Sequence, residues 1–187
     1  MFGKYVDPRI VDALLLTSDA INISEGKKKN MTIFFSDIEN FTAIAESLTP
    51  HGLVALMNKY FSLLSKPISD HKGVIDKYTG DSIMAFWGDP FTGEEEQAKL
   101  NESLAGSVGS SNSQPYTVMG DTVNVASRLE SINKQFGTRI LISESTFEMV
   151  KEDFVTRKID NIIVMGKPSQ CLYTNSSVKK KQWNIKR

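Results

Sequence analysis

A strand that ends directly in a carboxylate constrains this chain more than any other feature. Within the stretch Met31–Thr42 (MTIFFSDIENFT), the segment Thr32–Phe35 has the β-branched and aromatic composition of a buried central strand. Asp37 follows at the end of that strand, and a helix is predicted to begin shortly after Asn40. A buried carboxylate is unfavourable unless it is hydrogen-bonded, ion-paired or bound to a cation. On these residues alone, a helix-capping role explains Asp37 equally well.

The composition indicates a cytoplasmic domain without a strong charge bias. The 187 residues suffice for one α/β domain with a substantial core, with or without tails. Basic and acidic residues number 22 each, so we expect no general attraction to nucleic acid or to an anionic membrane. The single cysteine, Cys171, suits a reducing compartment, and no apolar run reaches membrane-spanning length. These features also fit one module of a larger protein.

Hydrophobic periodicity and turn residues predict the order of the elements. We expect a helix over His51–Lys72, ended by Gly73, followed by a β-hairpin whose turn contains Gly80. The other predicted strands and helices are Tyr116–Met119, a helix from Asp121 to Asn133, Thr138–Ser143, a helix to about Lys151, Phe154–Ile159, Ile162–Met165 and Cys171–Tyr173. Three segments are predicted to be irregular or only partly helical: a basic loop at Gly26–Asn30, a partial helix at Glu94–Leu100 and, after Leu100, a flexible loop that includes the small residues Ala105–Ser113.

Four motifs together resemble the catalytic domain of the class III adenylyl and guanylyl cyclases, in particular the bacterial class IIIb adenylyl cyclases. They are FFSDIENFT at Phe34–Thr42, DKYTGD at Asp76–Asp81, YTVMGDTVNVASR at Tyr116–Arg128 and GTRILIS at Gly137–Ser143. Each motif is weak alone, whereas the set in this order is specific. The resemblance implies an α+β fold with a ferredoxin-like βαββαβ core, an antiparallel-rich sheet and a head-to-tail homodimer.

The resemblance also implies a domain organisation. Residues 1–29 are expected to form a linker with a helix, residues 30–175 the catalytic domain, and residues 176–187 a basic tail. An upstream sensor or membrane domain is expected in the full-length protein. About two dozen residues separate Trp87 from Tyr116, where the family has a helix and a further strand. We therefore predict that a helix and a strand are missing near Leu100–Asn101.

The family's metal and phosphate contacts carry over to the first two motifs. Asp37 and Asp81 are the expected carboxylate ligands of two Mg²⁺ or Mn²⁺ ions, because Mg²⁺ prefers carboxylate and phosphate oxygens. Ile38 is expected to add its backbone carbonyl. Backbone groups at the start of the following helix are expected to hold the nucleotide phosphates; these residues are Ile38, Glu39, Asn40, Phe41 and Thr42.

The remaining expected site residues act on the ribose, the α-phosphate and the base of ATP. The resemblance implies that Arg128, from the other chain, stabilises the charge that develops on the α-phosphoryl oxygens, and that Asn124 orients the ribose. Without the resemblance, Arg128 would be a solvated helix-surface residue. Lys77 and Thr117 fall on the positions that bind the purine, and a lysine donates to the ring N1 of adenine, whereas guanine needs an acceptor.

An adenylyl cyclase, a phosphorus–oxygen lyase that makes cyclic AMP, is therefore the favoured function. The alternatives are a guanylyl cyclase, which Lys77 disfavours, and a catalytically inactive regulatory domain that binds nucleotide, which the retained Asp, Asn and Arg positions disfavour. Two further departures from the family concern phosphate contacts. Met165 replaces a lysine of some relatives, with Lys167 as a substitute, and Asn112–Gln114 lacks a basic residue.

Overall fold

A computed structural model of the chain describes residues 27–88, 101–107, 116–162 and 170–179. These residues belong to two compact units, Met1–Thr122 and Val123–Arg187. Six predictions lie wholly or partly outside the described ranges: the linker helix, the partial helix at Glu94–Leu100, the flexible loop beyond Ser107, the strand Ile162–Met165 beyond Ile162, most of the basic tail, and the phosphate contacts at Asn112–Gln114, Met165 and Lys167. The described residues include no helix that is long and apolar enough to cross a membrane.

In the first unit, the described residues form a five-stranded antiparallel sheet and two helices. The strands are β1 (Lys27–Ser36), β2 (Val74–Thr79), β3 (Ser82–Trp87), β4 (Asn101–Ser107) and β5 (Tyr116–Met119), in the order β2-β3-β1-β4-β5. The helices α1 (Phe41–Glu46) and α2 (Pro50–Asp70) connect β1 to β2. The order of the first four strands is that of a ferredoxin-like sheet, so the predicted α+β fold class is confirmed.

Helix α2 begins and ends as its sequence predicts. Its cap residue is Thr49, whose side-chain oxygen accepts a hydrogen bond from the Gly52 N–H at 3.2 Å, and Pro50 occupies the first helical position. Its apolar face packs on the sheet, where Ile68 joins Ile83 and Ala85 in a buried cluster. Partly buried side chains surround that cluster: Phe34, Phe61, Leu64, Ile75 and Trp87. This packing fixes β3 beside β1.

The described part of the second unit forms a three-stranded antiparallel sheet and two helices. Helix α3 (Asp121–Phe136) starts at the end of the first unit, and β6 (Leu141–Ser143), α4 (Glu144–Val150), β7 (Phe154–Ile162) and β8 (Gln170–Lys179) follow, with strand order β6-β8-β7. The inward face of α3 buries Val125 and Leu129 against partly buried apolar residues of the same unit. The opposite face of α3 is exposed.

Two segments predicted as loops are strands, so those predictions are wrong. Lys27–Asn30 belongs to β1, and Asn101–Ser107 forms β4, which pairs with the first half of β1 from Lys27↔Ala105 to Met31↔Asn101. Segments rich in lysine, glycine and serine have a low intrinsic preference for strands. A strand is nevertheless held in a sheet by backbone hydrogen bonds, so pairing with neighbouring strands can outweigh that preference. Here β1 and β5 flank β4 on its two sides.

Candidate active site

The register between β1 and β3 brings the two predicted metal-binding acids to the same end of the sheet. Ser36, the last residue of β1, lies opposite Ile83. Since the strands are antiparallel, the chain beyond Ser36 runs towards the hairpin turn that carries Asp81. The backbone N–H of Ile38, the residue after Asp37, donates a hydrogen bond to Asp81 Oδ2 at 3.2 Å. Both acids are half-buried.

A tight turn connects β1 to α1 at this point. The carbonyl oxygen of Ile38 accepts a hydrogen bond from the Phe41 N–H at 3.2 Å. Asn40 has φ 58° and ψ 30°, a left-handed conformation that asparagine adopts more readily than most residues. The N–H groups of Ile38 and Phe41 are thus already hydrogen-bonded, and the Ile38 carbonyl keeps a second lone pair for another partner.

Tyr60, on α2, was not predicted to be near the site. Its hydroxyl lies 3.2 Å from the Ser36 hydroxyl. Burial raises the pKa of Tyr60, the hydrogen bond with Ser36 lowers it, and the negative charges of Asp37 and Asp81 raise it further. Both carboxylates therefore act on one phenol. The sequence shows Tyr60 only as one aromatic residue of an apolar helical stripe, so its role near the acids carries no sequence signal.

The geometry and the chemistry of these groups fit a divalent cation. Asp37 and Asp81 supply oxygen atoms at one end of the sheet, the ligand type that Mg²⁺ and Mn²⁺ prefer. Among the residues that the structure describes, no cluster of three or more His, Cys, Asp or Glu side chains could hold a metal ion. A cation at this position would need further oxygen ligands from a substrate or water, as is usual for Mg²⁺ bound with phosphates.

The two predicted base-binding residues are on different strands of the first unit. Lys77, on β2, has a side chain 55% exposed, with Nζ 3.1 Å from Oδ2 of the buried Asp76. Thr117, on β5, has a buried hydroxyl that makes no hydrogen bond within the described part of the chain. Strands β2 and β5 contact each other although they stand at the two ends of the strand order.

Asn124 and Arg128 lie in the second unit. Both side chains are exposed on α3, one helical turn apart, so they share a face of the helix that is separate from the buried face of Val125 and Leu129. No acidic residue stands three or four positions from Arg128 on the helix, which leaves it without a local ion-pair partner of the usual helical spacing. An exposed guanidinium of this kind is available to an anionic ligand or a second chain.

Comparison with known proteins identifies a family that matches most of the chain. The family described as "Adenylate and Guanylate cyclase catalytic domain" matches residues 23–105 and 99–177. The chain is 33% identical over 159 residues to adenylate cyclase 1 of Rhizobium meliloti, and 32% identical over 203 residues to the adenylate cyclase of Anabaena cylindrica. These alignments cover 67% and 89% of this chain but only 24% and 40% of the respective relatives.

Solved structures give the same result. The adenylyl cyclase CyaB from P. aeruginosa is similar with a TM-score of 0.74 and 28% identity, covering 83% of this chain and 98% of that one. Guanylyl cyclases are also among the solved structures with a similar fold. The alignment of 203 residues with the A. cylindrica enzyme is longer than this chain of 187, so it must contain residues that the relative has and this chain lacks.

Proposed function

Because the chain belongs to the family of adenylate and guanylate cyclase catalytic domains, we propose that it converts ATP to 3′,5′-cyclic AMP and pyrophosphate. The observation that carries this proposal is the hydrogen bond from the Ile38 N–H to Asp81 Oδ2 at 3.2 Å. It places the second acid beside the backbone that immediately follows Asp37. Two carboxylates at one end of a sheet can bind the metal ions that act in metal-dependent phosphoryl transfer.

Asp37 and Asp81 are assigned to two Mg²⁺ or Mn²⁺ ions, together with the Ile38 carbonyl. Cyclase domains of this family are generally metal-dependent. When bound, such ions lower the pKa of the ribose 3′-hydroxyl and neutralise charge on the phosphates. The contribution of the protein is to hold its two carboxylates in place. The Ile38 N–H donates a hydrogen bond to Asp81, and the contact between the Ser36 and Tyr60 hydroxyls holds the end of β1, which Asp37 follows.

The reaction forms a bond between the ribose 3′-oxygen and the α-phosphorus and breaks the bond between that phosphorus and the leaving pyrophosphate. The segment Ile38–Thr42 is assigned to the β- and γ-phosphates, which its backbone N–H groups would bind. The N–H of Ile38 already donates to Asp81 and that of Phe41 to the Ile38 carbonyl, so the other N–H groups of the segment are the proposed phosphate contacts. Arg128 is assigned to the α-phosphoryl oxygens, where negative charge increases in the transition state. Asn124 orients the ribose by hydrogen bonding.

Lys77 and Thr117 are assigned to adenine. The hydroxyl of Thr117 is buried without a hydrogen bond among the described residues, which suits a group that receives its partner from the substrate. The Lys77 ammonium donates to the N1 acceptor of adenine, whereas guanine presents an N–H there. ATP is therefore the proposed substrate, and a guanylyl cyclase and an inactive nucleotide-binding domain remain the alternatives.

The test is a turnover assay of the purified chain with ATP or GTP, in Mg²⁺ or Mn²⁺ and in EDTA, with cyclic nucleotide and pyrophosphate both quantified. We expect equal amounts of cyclic AMP and pyrophosphate from ATP, much less product from GTP, and none in EDTA. The matched controls are Asp37→Asn, expected to be inactive, and Asp70→Asn, which makes the same change at an exposed helix residue. Product from GTP alone would favour the guanylyl cyclase, and nucleotide binding without turnover would favour the inactive domain.

A further inference from the structure

A bulge in β2 sets Asp76 apart from the regular pairing of that strand. Ile75 lies opposite Ala85 and Lys77 opposite Met84, so Asp76 is the extra residue, with no partner in the register. In a regular strand, neighbouring side chains point to opposite faces of the sheet. A bulge changes this alternation and re-aims a side chain. Here the Asp76 carboxylate and the Lys77 ammonium are only 3.1 Å apart.

The ion pair is highly asymmetric in its exposure to water. The Asp76 side chain is 1% exposed, whereas that of Lys77 is 55% exposed. A buried carboxylate needs a counter-charge or hydrogen-bond donors, because its hydration is lost. Neither Asp76 oxygen has a well-oriented hydrogen bond within the described residues, although Lys77 Nζ lies within ion-pair distance of Oδ2. The carboxylate therefore depends on the lysine.

The buried polar atoms without a hydrogen bond belong to one proposed base-binding residue and to the neighbour of the other. Within the described part of the chain these atoms are the two carboxylate oxygens of Asp76 and the hydroxyl oxygen of Thr117. Asp76 precedes Lys77 on β2, and Thr117 is on β5, which contacts β2. Buried polar groups are rarely left unsatisfied in native proteins, and such a group suggests a place where a ligand or water completes the bonding.

We propose that Asp76 is a positioning residue for recognition of the purine base: its carboxylate holds the ammonium of Lys77 in the orientation that reads adenine. This inference rests on the proposed function, which assigns Lys77 to the base. An ammonium has three N–H donors, so one contact with Asp76 leaves two for a ligand. A lysine has a long flexible stem, and ordering it before the substrate arrives reduces the entropic cost of binding.

The primary test is Asp76→Asn, which keeps the side-chain shape and removes the charge. We expect the KM for ATP to rise about tenfold, with kcat within about twofold of the original, because an ordered lysine improves binding of the substrate and of the transition state equally. The preference for ATP over GTP should decrease as well. The matched control is Asp70→Asn, which removes an exposed carboxylate that pairs with Lys66 at 2.9 Å, and it should change neither constant.

A double-mutant cycle with Lys77→Met tests whether Asp76 acts through the lysine. Lys77→Met should raise the KM for ATP, and adding Asp76→Asn should raise it no further. An unchanged KM in Lys77→Met would refute the assignment of Lys77 to the base, and hence that part of the proposed function. If Lys77→Met raises the KM but Asp76→Asn leaves it unchanged, the role of Asp76 is wrong and the assignment of Lys77 stands. The same conclusion follows if Asp76→Asn raises the KM by the same factor in the original chain and in Lys77→Met.

Thermal unfolding gives a second measurement, which does not depend on activity. Lys77→Met leaves the buried carboxylate without its counter-charge and should lower the Tm by about 3 °C, and Asp76→Asn in the same chain should restore it. If Asp76→Asn alone does not fold, Lys77→Met still tests the ion pair. A Tm of Lys77→Met equal to that of the original chain would show that the lysine does not compensate the carboxylate, and the proposal would be wrong.

Discussion

Asp37 and Asp81 carry like charges at one end of the sheet, where both raise the pKa of Tyr60. Such acids repel each other unless a cation binds them. We therefore predict that Asp37→Ala or Asp81→Ala lowers Mg²⁺-dependent turnover at least about a hundredfold while the fold is retained. Without metal, the Tm of Asp37→Ala should equal or exceed that of the original chain, whereas Asp81→Ala also loses the hydrogen bond from the Ile38 N–H, which offsets the relief of repulsion. Near-normal activity of either variant with Mg²⁺ would refute the metal assignment.

At the level of residues, only part of the proposed site could be predicted from the sequence. Asp37 and Asp81 could be assigned from motifs, and the register of β1 and β3 accounts for the contact between Ile38 and Asp81. Asp76 and Tyr60 could not be assigned. The exposure and contacts of Asp76 depend on a bulge that has no sequence signature. Tyr60 lies near the acids because α2 packs on the sheet, where the Tyr60 hydroxyl contacts that of Ser36.

Among the elements, the β2–β3 hairpin was predictable and β4 was not. Gly80 has φ 61°, a left-handed conformation that glycine adopts without strain, and this turn chemistry is visible in the sequence. Asn101–Ser107 contains small and polar residues that are typical of loops, and its strand structure comes from pairing with β1 and β5. The prediction that a helix and a strand are missing near Leu100–Asn101 stays a prediction.

The connection between α2 and β2 depends on close packing at Gly73. A Cβ atom at Gly73 would lie 2.6 Å from Trp87 Cε2 and 2.8 Å from Ile68 Cγ2. The indole is held in place, since Trp87 Nε1 donates a hydrogen bond to the His71 carbonyl at 3.0 Å. We predict that Gly73→Ala lowers the free energy of unfolding by roughly 1–3 kcal/mol, measured by urea denaturation.

The control for this prediction is Gly80→Asn. A Cβ at Gly80 would meet no atom within 4 Å, and asparagine tolerates the left-handed conformation found there. Its free energy of unfolding should therefore stay within about 1 kcal/mol of the original value. Equal urea midpoints for Gly73→Ala and the original chain would show that Trp87 can move aside, and that the α2–β2 connection is less tightly packed than its geometry indicates.

For the whole molecule, the residues assigned under the proposed function are divided between its two compact units. The acids and the base-binding residues lie in the first unit, whereas Asn124 and Arg128 lie in the second. We propose that a head-to-tail homodimer with two-fold symmetry supplies the two sets from different chains, so that each dimer has two equivalent sites. Each site then contains Asp37 of one chain and Arg128 of the other.

This arrangement makes a prediction that no single variant can test. Asp37→Ala and Arg128→Ala should each inactivate both sites of their own homodimer. When the two variants are mixed, a heterodimer has one site with both substitutions and one site with neither. Random exchange makes half of the dimers heterodimers, so about a quarter of the original activity should return, and it should fall on dilution as dimers dissociate. A mixture that stays inactive, although co-purification of differently tagged chains proves subunit exchange, would refute the composite site.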